Sequence, residues 1–179
     1  MALVGQPAPQ FNMAAVDHNG KDIEVSLQDY AGKWLVFFFY PHDFTFVCPT
    51  EIVALSEAYD QFTSRGADVL GVSTDSPHVH RAWRNADTDL GGLGAIRYPL
   101  ASDGDHEVSK AYQVYFPDEG AAYRGLFIID PEGVVQYEVV HNLNVGRSVD
   151  EVIRVLEGLK AGGLCPVNWK PGESLLSAN

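Results

Sequence analysis

The run Lys33-Trp34-Leu35-Val36-Phe37-Phe38-Phe39-Tyr40, halted by Pro41, constrains this chain more than any other segment. It is too short for an ordinary helix. As a strand it sends bulky apolar side chains to both faces, so neither face can be left wet. A strand covered on both sides calls for a layered α/β arrangement.

The rest of the chain supplies the layers. His18-Asn19-Gly20 reads as the turn of a small hairpin within residues 13–32. Ile52, Leu55, Tyr59 and Phe62 recur at helical spacing over residues 49–64, with Pro49 at the first helical position and Arg65-Gly66 as the stop. Residues 67–73 read as a second buried strand, and Ser76-Pro77 opens a short helix through Arg84. A glycine-rich connection (85–105) and a short helix (106–113) follow. Residues 124–130 and 134–140 form strands about the turn Asp130-Pro131-Glu132-Gly133. Ser148 and Glu151 make a capping box for a helix over residues 148–160. The expectation is an α/β fold with a mixed central sheet, helices on both faces and an N-terminal hairpin. Residues 1–160 form one domain, and residues 161–179 a flexible tail rich in Gly and Pro.

Acidic residues outnumber basic ones 24 to 12, for a net charge of −12. Such a surface repels phosphate backbones and anionic bilayers, which argues against nucleic-acid and membrane partners. The N-terminal Met1-Ala2-Leu3-Val4-Gly5 carries neither a basic n-region nor an apolar h-region, so a cytoplasmic location is expected. The two cysteines, Cys48 and Cys165, are too few for a disulfide scaffold. His42, His78, His80 and His106 have poor spacing for a metal and read as surface histidines. Gly91-Gly92-Leu93-Gly94 lacks the strand-then-helix setting of a phosphate loop. No metal or organic cofactor is expected.

Cys48 stands out because it falls at the expected N-cap of the 49–64 helix, where backbone N–H groups are unpaired and favour an anion. A free cysteine titrates near ~8.5, so holding one as thiolate at neutral pH takes about 3 kcal/mol. A helix terminus supplies about 0.3–1 kcal/mol and at best about 2. The shortfall requires a cation from elsewhere. Arg124, at the start of a strand, and Arg147, just before the last helix, are the candidates. Glu51, three residues after Cys48, is placed to reach back to the cap or to hold such an arginine. Its own charge opposes a thiolate. Thr45 can both donate and accept, and Pro41 can shield the site from water. A hydroxyl, backbone N–H groups and a guanidinium together suit a peroxide whose leaving oxygen needs stabilising.

The stretch from Pro41 to Cys48 is similar to the P-x-x-x-T-x-x-C signature of peroxiredoxins. With its flanks it resembles the typical two-cysteine subgroup, that of the peroxidase component of alkyl hydroperoxide reductases, nearly residue for residue. The likeness continues through Val72–Ser76, Tyr123–Asp130, Val145–Glu151 and Cys165–Gly172. It implies a thioredoxin-like fold and a peroxidase that acts on hydrogen peroxide and organic hydroperoxides. It implies Cys48 as the attacking cysteine, with Pro41, Thr45 and Arg124 completing the site and Glu51 and Arg147 in support. Cys165 is implied as the resolving cysteine, donated by a second subunit of a homodimer that assembles into a ring-shaped decamer. Thioredoxin or a flavin-dependent disulfide reductase is the implied recycling partner. His42 departs from the family's small or apolar residue, and the segment from Glu151 to Cys165 is shorter than in many relatives. Gly91–Gly94 resembles a loop of easily over-oxidised members, whose companion C-terminal Tyr-Phe helix has no counterpart in Glu173–Asn179. The expectation is that resolution outruns over-oxidation.

Two other functions compete. A thiol–disulfide oxidoreductase on the same fold would want a C-x-x-C pair, and the chain has Cys48-Pro49-Thr50-Glu51. A ring-shaped holding chaperone would use the aromatic loop Phe44–Phe46 as an interface and would not need Cys48.

Overall fold

A computed structural model describes residues 2–177. In chain order the elements are β1 (Asn12–Val16), β2 (Asp22–Ser26), β3 (Trp34–Phe39), α1 (Val47–Glu57), α2 (Tyr59–Thr63) and β4 (Ala67–Ser73). Then come α3 (Pro77–Asn85), β5 (Leu100–Ser102), α4 (Glu107–Ala111), β6 (Tyr115–Phe116) and β7 (Ala121–Ala122). The chain continues with β8 (Arg124–Ile129), β9 (Val135–His141) and α5 (Val149–Ala161). One seven-stranded sheet has the order β2-β1-β5-β4-β3-β8-β9. The apolar run is β3, near the middle, parallel to β4 and antiparallel to β8. The sheet is therefore mixed.

Period-two alternation along β3 divides the interior. Val36, Phe38 and Tyr40 face a core shared with α1, α2, α3 and α5, through Ile52, Phe62, Trp83, Val152 and Leu156. Leu35, Phe37 and Phe39 face a second core with Phe11, Val25, Val108 and Tyr112. Helices thus cover both faces, four on one side and α4 on the other. The Asn-Gly hairpin is present as β1 and β2, with β1 joined to the sheet through β5.

Three expectations need correction. Val47 already lies in α1 and Phe46 occupies the N-cap, so Cys48 is the second helical residue rather than the cap. A proline two residues inside the start is tolerated because first-turn N–H groups have no helical partner to lose. Residues 49–64 are not one helix: the chain breaks at Ala58 into α1 and α2. The capping box at α5 is half formed. Ser148 Oγ accepts from the Glu151 N–H at 3.3 Å, but the Glu151 carboxylate is taken by Arg154.

The segment after α5 is docked rather than loose. Trp169 is buried, its ring Nε1–H donates to the Glu173 carbonyl at 3.0 Å, and Leu164 bridges Leu176. One aromatic side chain pressed on α5 gives this glycine-rich stretch an anchor that periodicity does not reveal. Asn179 and Ala178 lie outside the described residues. No helix among those described is long and apolar enough to cross a membrane.

Candidate active site

β3 ends at Phe39, and the chain turns through Tyr40–Phe46 into α1. This strand-loop-helix path places Cys48 in the first turn of α1, facing the core, with no solvent exposure. The sulfur is more deeply buried than a position at the start of a helix suggests. Phe46 brings no side-chain oxygen to the helix start.

The cation that the helix could not replace comes from β8. Arg124 Nη1 lies 3.3 Å from Cys48 Sγ and 2.7 Å from Glu51 Oε2. Its Nε donates to the Leu143 carbonyl at 2.7 Å, which fixes the plane of the guanidinium. Arg147 approaches Glu51 from the other side. Its Nε and backbone N–H reach Oε1 at 2.8 and 2.7 Å, and its Nη2 reaches Oε2 at 3.0 Å. Arg147 also donates to the Phe39 carbonyl at 2.8 Å and stacks over Phe38. One carboxylate thus holds two guanidinium groups, leaving a net positive charge beside the sulfur. Burial alone would raise the Glu51 carboxyl, but Arg147 and then Arg124 outweigh it and hold it below its ordinary 4.5.

Thr45 is half-buried, and its hydroxyl donates to the His42 carbonyl at 2.9 Å, closing the turn before α1. An oxygen lone pair there stays available to accept. Pro41 is buried at the loop's start. Of the expected site residues, Cys48, Glu51, Arg124 and Arg147 form one connected group. Thr45 and Pro41 belong to the loop that leads into it. Cys165 sits apart, half-buried against α5, with Sγ 3.8 Å from the Gly158 carbonyl.

A buried polar cluster, invisible to sequence reading, anchors this loop. His80 reads from its spacing as a surface residue, yet it is fully buried. Its Nδ1 contacts Asp43 Oδ2 at 2.7 Å and its Nε2 the Ala101 carbonyl at 3.0 Å. Tyr40 donates its hydroxyl to Asp43 at 2.8 Å, and Asp75 accepts from the Asp43 N–H at 2.8 Å. Burial pushes the Asp43 carboxyl above its ordinary 3.8, partly offset by the bond to His80. The one available signal is His80 three residues before Trp83, on one inward face of α3. The residue after Asp43, Phe44, has φ 56°, a left-handed conformation costly for a bulky side chain. The Asp43 anchor on one side and the packing of Phe44 on Trp83 hold it there. Trp83 in turn donates to the Gly91 carbonyl at 2.8 Å, so the Gly91–Gly94 loop lies behind the same loop. Among the described residues no cluster of His, Cys, Asp or Glu is arranged to hold a metal.

A buried cysteine in a first helical turn, an arginine on its sulfur and a proline-to-threonine loop before it make a recognisable constellation. Residues 4–138 match the pattern of the AhpC/TSA family. This chain belongs to the AhpC/TSA family of peroxiredoxins. It is 46% identical over 179 residues to peroxiredoxin-1 of Gallus gallus, covering 98% of this chain and 90% of the relative. Among solved structures it resembles the reduced 2-Cys peroxiredoxin of Plasmodium vivax, with TM-score 0.94, 41% identity and coverage of 97% and 92% of the two chains. AhpC of Enterococcus faecalis superposes with TM-score 0.86 at 35% identity, covering 93% of this chain and all of the other. The fold is thioredoxin-like, and the family's chemistry is that of a thiol peroxidase. The family pattern spans Cys48, Glu51 and Arg124; Arg147 and Cys165 lie beyond it and within the full-length likenesses.

Proposed function

We propose that this peroxiredoxin reduces hydrogen peroxide and organic hydroperoxides at Cys48. The observation that carries the reading is Arg124 Nη1 bonded at once to Cys48 Sγ, at 3.3 Å, and to Glu51, at 2.7 Å. A guanidinium so placed stabilises an anionic sulfur and can also meet the oxygen that leaves. The thiolate attacks one peroxide oxygen, the O–O bond breaks, and a proton completes the departing alcohol or water. Cys48 is left as sulfenic acid.

Resolution falls to Cys165 of a partner subunit. Its thiol condenses with the sulfenic acid, releasing water and forming a disulfide between subunits. Cys48 is fully buried, so the first turn of α1 opens for the sulfurs to meet. Thioredoxin or a flavin-dependent disulfide reductase then returns both cysteines to thiols by exchange. Residues 1–160 act as the catalytic body and residues 161–179 as the arm that carries Cys165. Phe44 and Phe46 are 54% and 95% exposed, an apolar loop suited to the packing of dimers into a ring-shaped decamer. The cytoplasm is the compartment proposed.

A non-reducing gel after one equivalent of hydrogen peroxide tests the scheme. The expected result is a covalent dimer that is lost in both Cys48→Ser and Cys165→Ser. A disulfide confined to the monomer would overturn the intersubunit step.

A further inference from the structure

Ile52, Ser56 and Asp60 stand four residues apart on one side of α1 and α2. A single short segment before β5, Arg97-Tyr98, grips all three. The Tyr98 hydroxyl donates to the Ile52 carbonyl at 2.7 Å. The Arg97 backbone N–H donates to Ser56 Oγ at 3.0 Å, and its Nη2 pairs with Asp60 at 2.6 Å. The Arg97 guanidinium also lies over the Tyr59 ring. Tyr98 is fully buried and meets Phe38 of β3 edge-on at 5.9 Å, so its hydroxyl stands on a rigid post.

The grip begins at Ile52. On the other side of that point Arg124 holds the Cys48 sulfur at 3.3 Å, a contact that ends once the sulfur leaves its seat. Thr50 turns its hydroxyl back to the Val47 carbonyl at 2.6 Å, and Pro49 has no N–H to give. Glu51, with its two arginines, marks the border between the turn and the gripped helix.

We propose that Tyr98 is a positioning residue that sets how far α1 opens: the helix unwinds as far as Ile52 and no further. This rests on the reading that Cys48 leaves its buried seat to meet Cys165. A short opening releases the sulfur while leaving the rest of α1 as the template on which the turn closes again.

Hydrogen exchange on the reduced protein and single-turnover kinetics test this with Tyr98→Phe, which removes only the hydroxyl. The matched control is Tyr112→Phe. Tyr112 is equally buried on the opposite face of the sheet and donates to the Pro9 carbonyl at 2.9 Å. Losing one neutral hydrogen bond should speed exchange of the amides from Val53 to Glu57 roughly two- to tenfold in Tyr98→Phe and leave them unchanged in Tyr112→Phe. The disulfide-forming step should quicken by a similar factor, while the step with peroxide stays within about twofold. Unchanged exchange over Val53–Glu57, an equal change in both variants, or a slower disulfide step would overturn the proposal. Should Tyr98→Phe fail to fold, Ser56→Ala, which removes the acceptor of the Arg97 N–H, carries the same expectation. Absence of any Cys48–Cys165 disulfide in the wild type would sink the resolving scheme, and the exchange pattern would still decide the clamp.

Discussion

Replacing Arg124 by Gln should slow the reaction with peroxide, and removing Glu51 as well should restore part of the loss. With Nη1 at 3.3 Å from Cys48 Sγ, Coulomb attraction at an effective dielectric of about 20 stabilises an anionic sulfur by about 5 kcal/mol. The same nitrogen is 2.7 Å from Glu51 Oε2, which puts that carboxylate oxygen within about 6 Å of the sulfur. Its repulsion at that separation is about 3 kcal/mol. Arg124→Gln loses the attraction and keeps the repulsion, a fall of three to four orders of magnitude at about 1.4 kcal/mol per decade. Arg124→Gln with Glu51→Gln loses both, a net of about 2 kcal/mol or roughly thirtyfold. The assay is stopped-flow measurement of the second-order rate constant with hydrogen peroxide at neutral pH. Circular dichroism verifies that each variant is folded, because Glu51 also anchors Arg147. A double variant as slow as Arg124→Gln, or slower, would refute the view that Glu51 opposes the charge on Cys48. The carboxylate would then matter only as a brace.

Four further outcomes are expected. Cys165→Ser should keep its first turnover with peroxide but accumulate Cys48 sulfinate on repeated dosing, as read by mass spectrometry; a wild-type pattern would remove Cys165 from the cycle. Trp169→Ala should free the tail to limited proteolysis between Gly162 and Gly172 while leaving the thermal midpoint of the body within about 4 °C, because ΔΔG falls on a segment outside the main cores. Gly71→Ala should destabilise by about 1–3 kcal/mol in urea, since an added Cβ would lie 2.8 Å from both Leu100 Cδ2 and Phe38 Cζ. The two buried carboxylates should respond to acid with opposite sign. Glu51 is depressed in the folded state, so its contribution is present above 4.5 and is lost as pH falls through its lowered value. Asp43 is raised, so stability linked to it is gained as pH falls through its raised value towards 3.8. Urea titrations of Glu51→Gln and Asp43→Asn against wild type should therefore show pH dependences that change in opposite directions.

Much of the fold was legible because its signals are local. The two-faced strand Trp34–Phe39, the Asn-Gly hairpin, the strand Ala67–Ser73 and the capped helix after Ser148 follow from periodicity and turn chemistry within a few residues. The boundary errors have the same origin. Pro49 put the expected helix start two residues late, because Phe46 caps without a side-chain oxygen, and the break at Ala58 carries no Pro or Gly.

The site divides along the same line. Local chemistry was enough to single out Cys48 and to require a distant cation, because the energy a helix start provides is bounded and falls short. Which cation, and how it is held, depends on β8 and the loop before α5 converging on Glu51 from opposite sides. In the sequence only the family resemblance pointed to that convergence; it joins residues 73 and 96 positions apart, which local spacing does not encode. The same holds for His80. A histidine beside polar and aromatic neighbours looks solvated until α3 packs its inner face against the Asp43 loop. Burial is a property of the packed layers, so the partners of Asp43, the grip of Tyr98 on Ile52 and the seat of Cys165 against α5 were decided only when those layers came together.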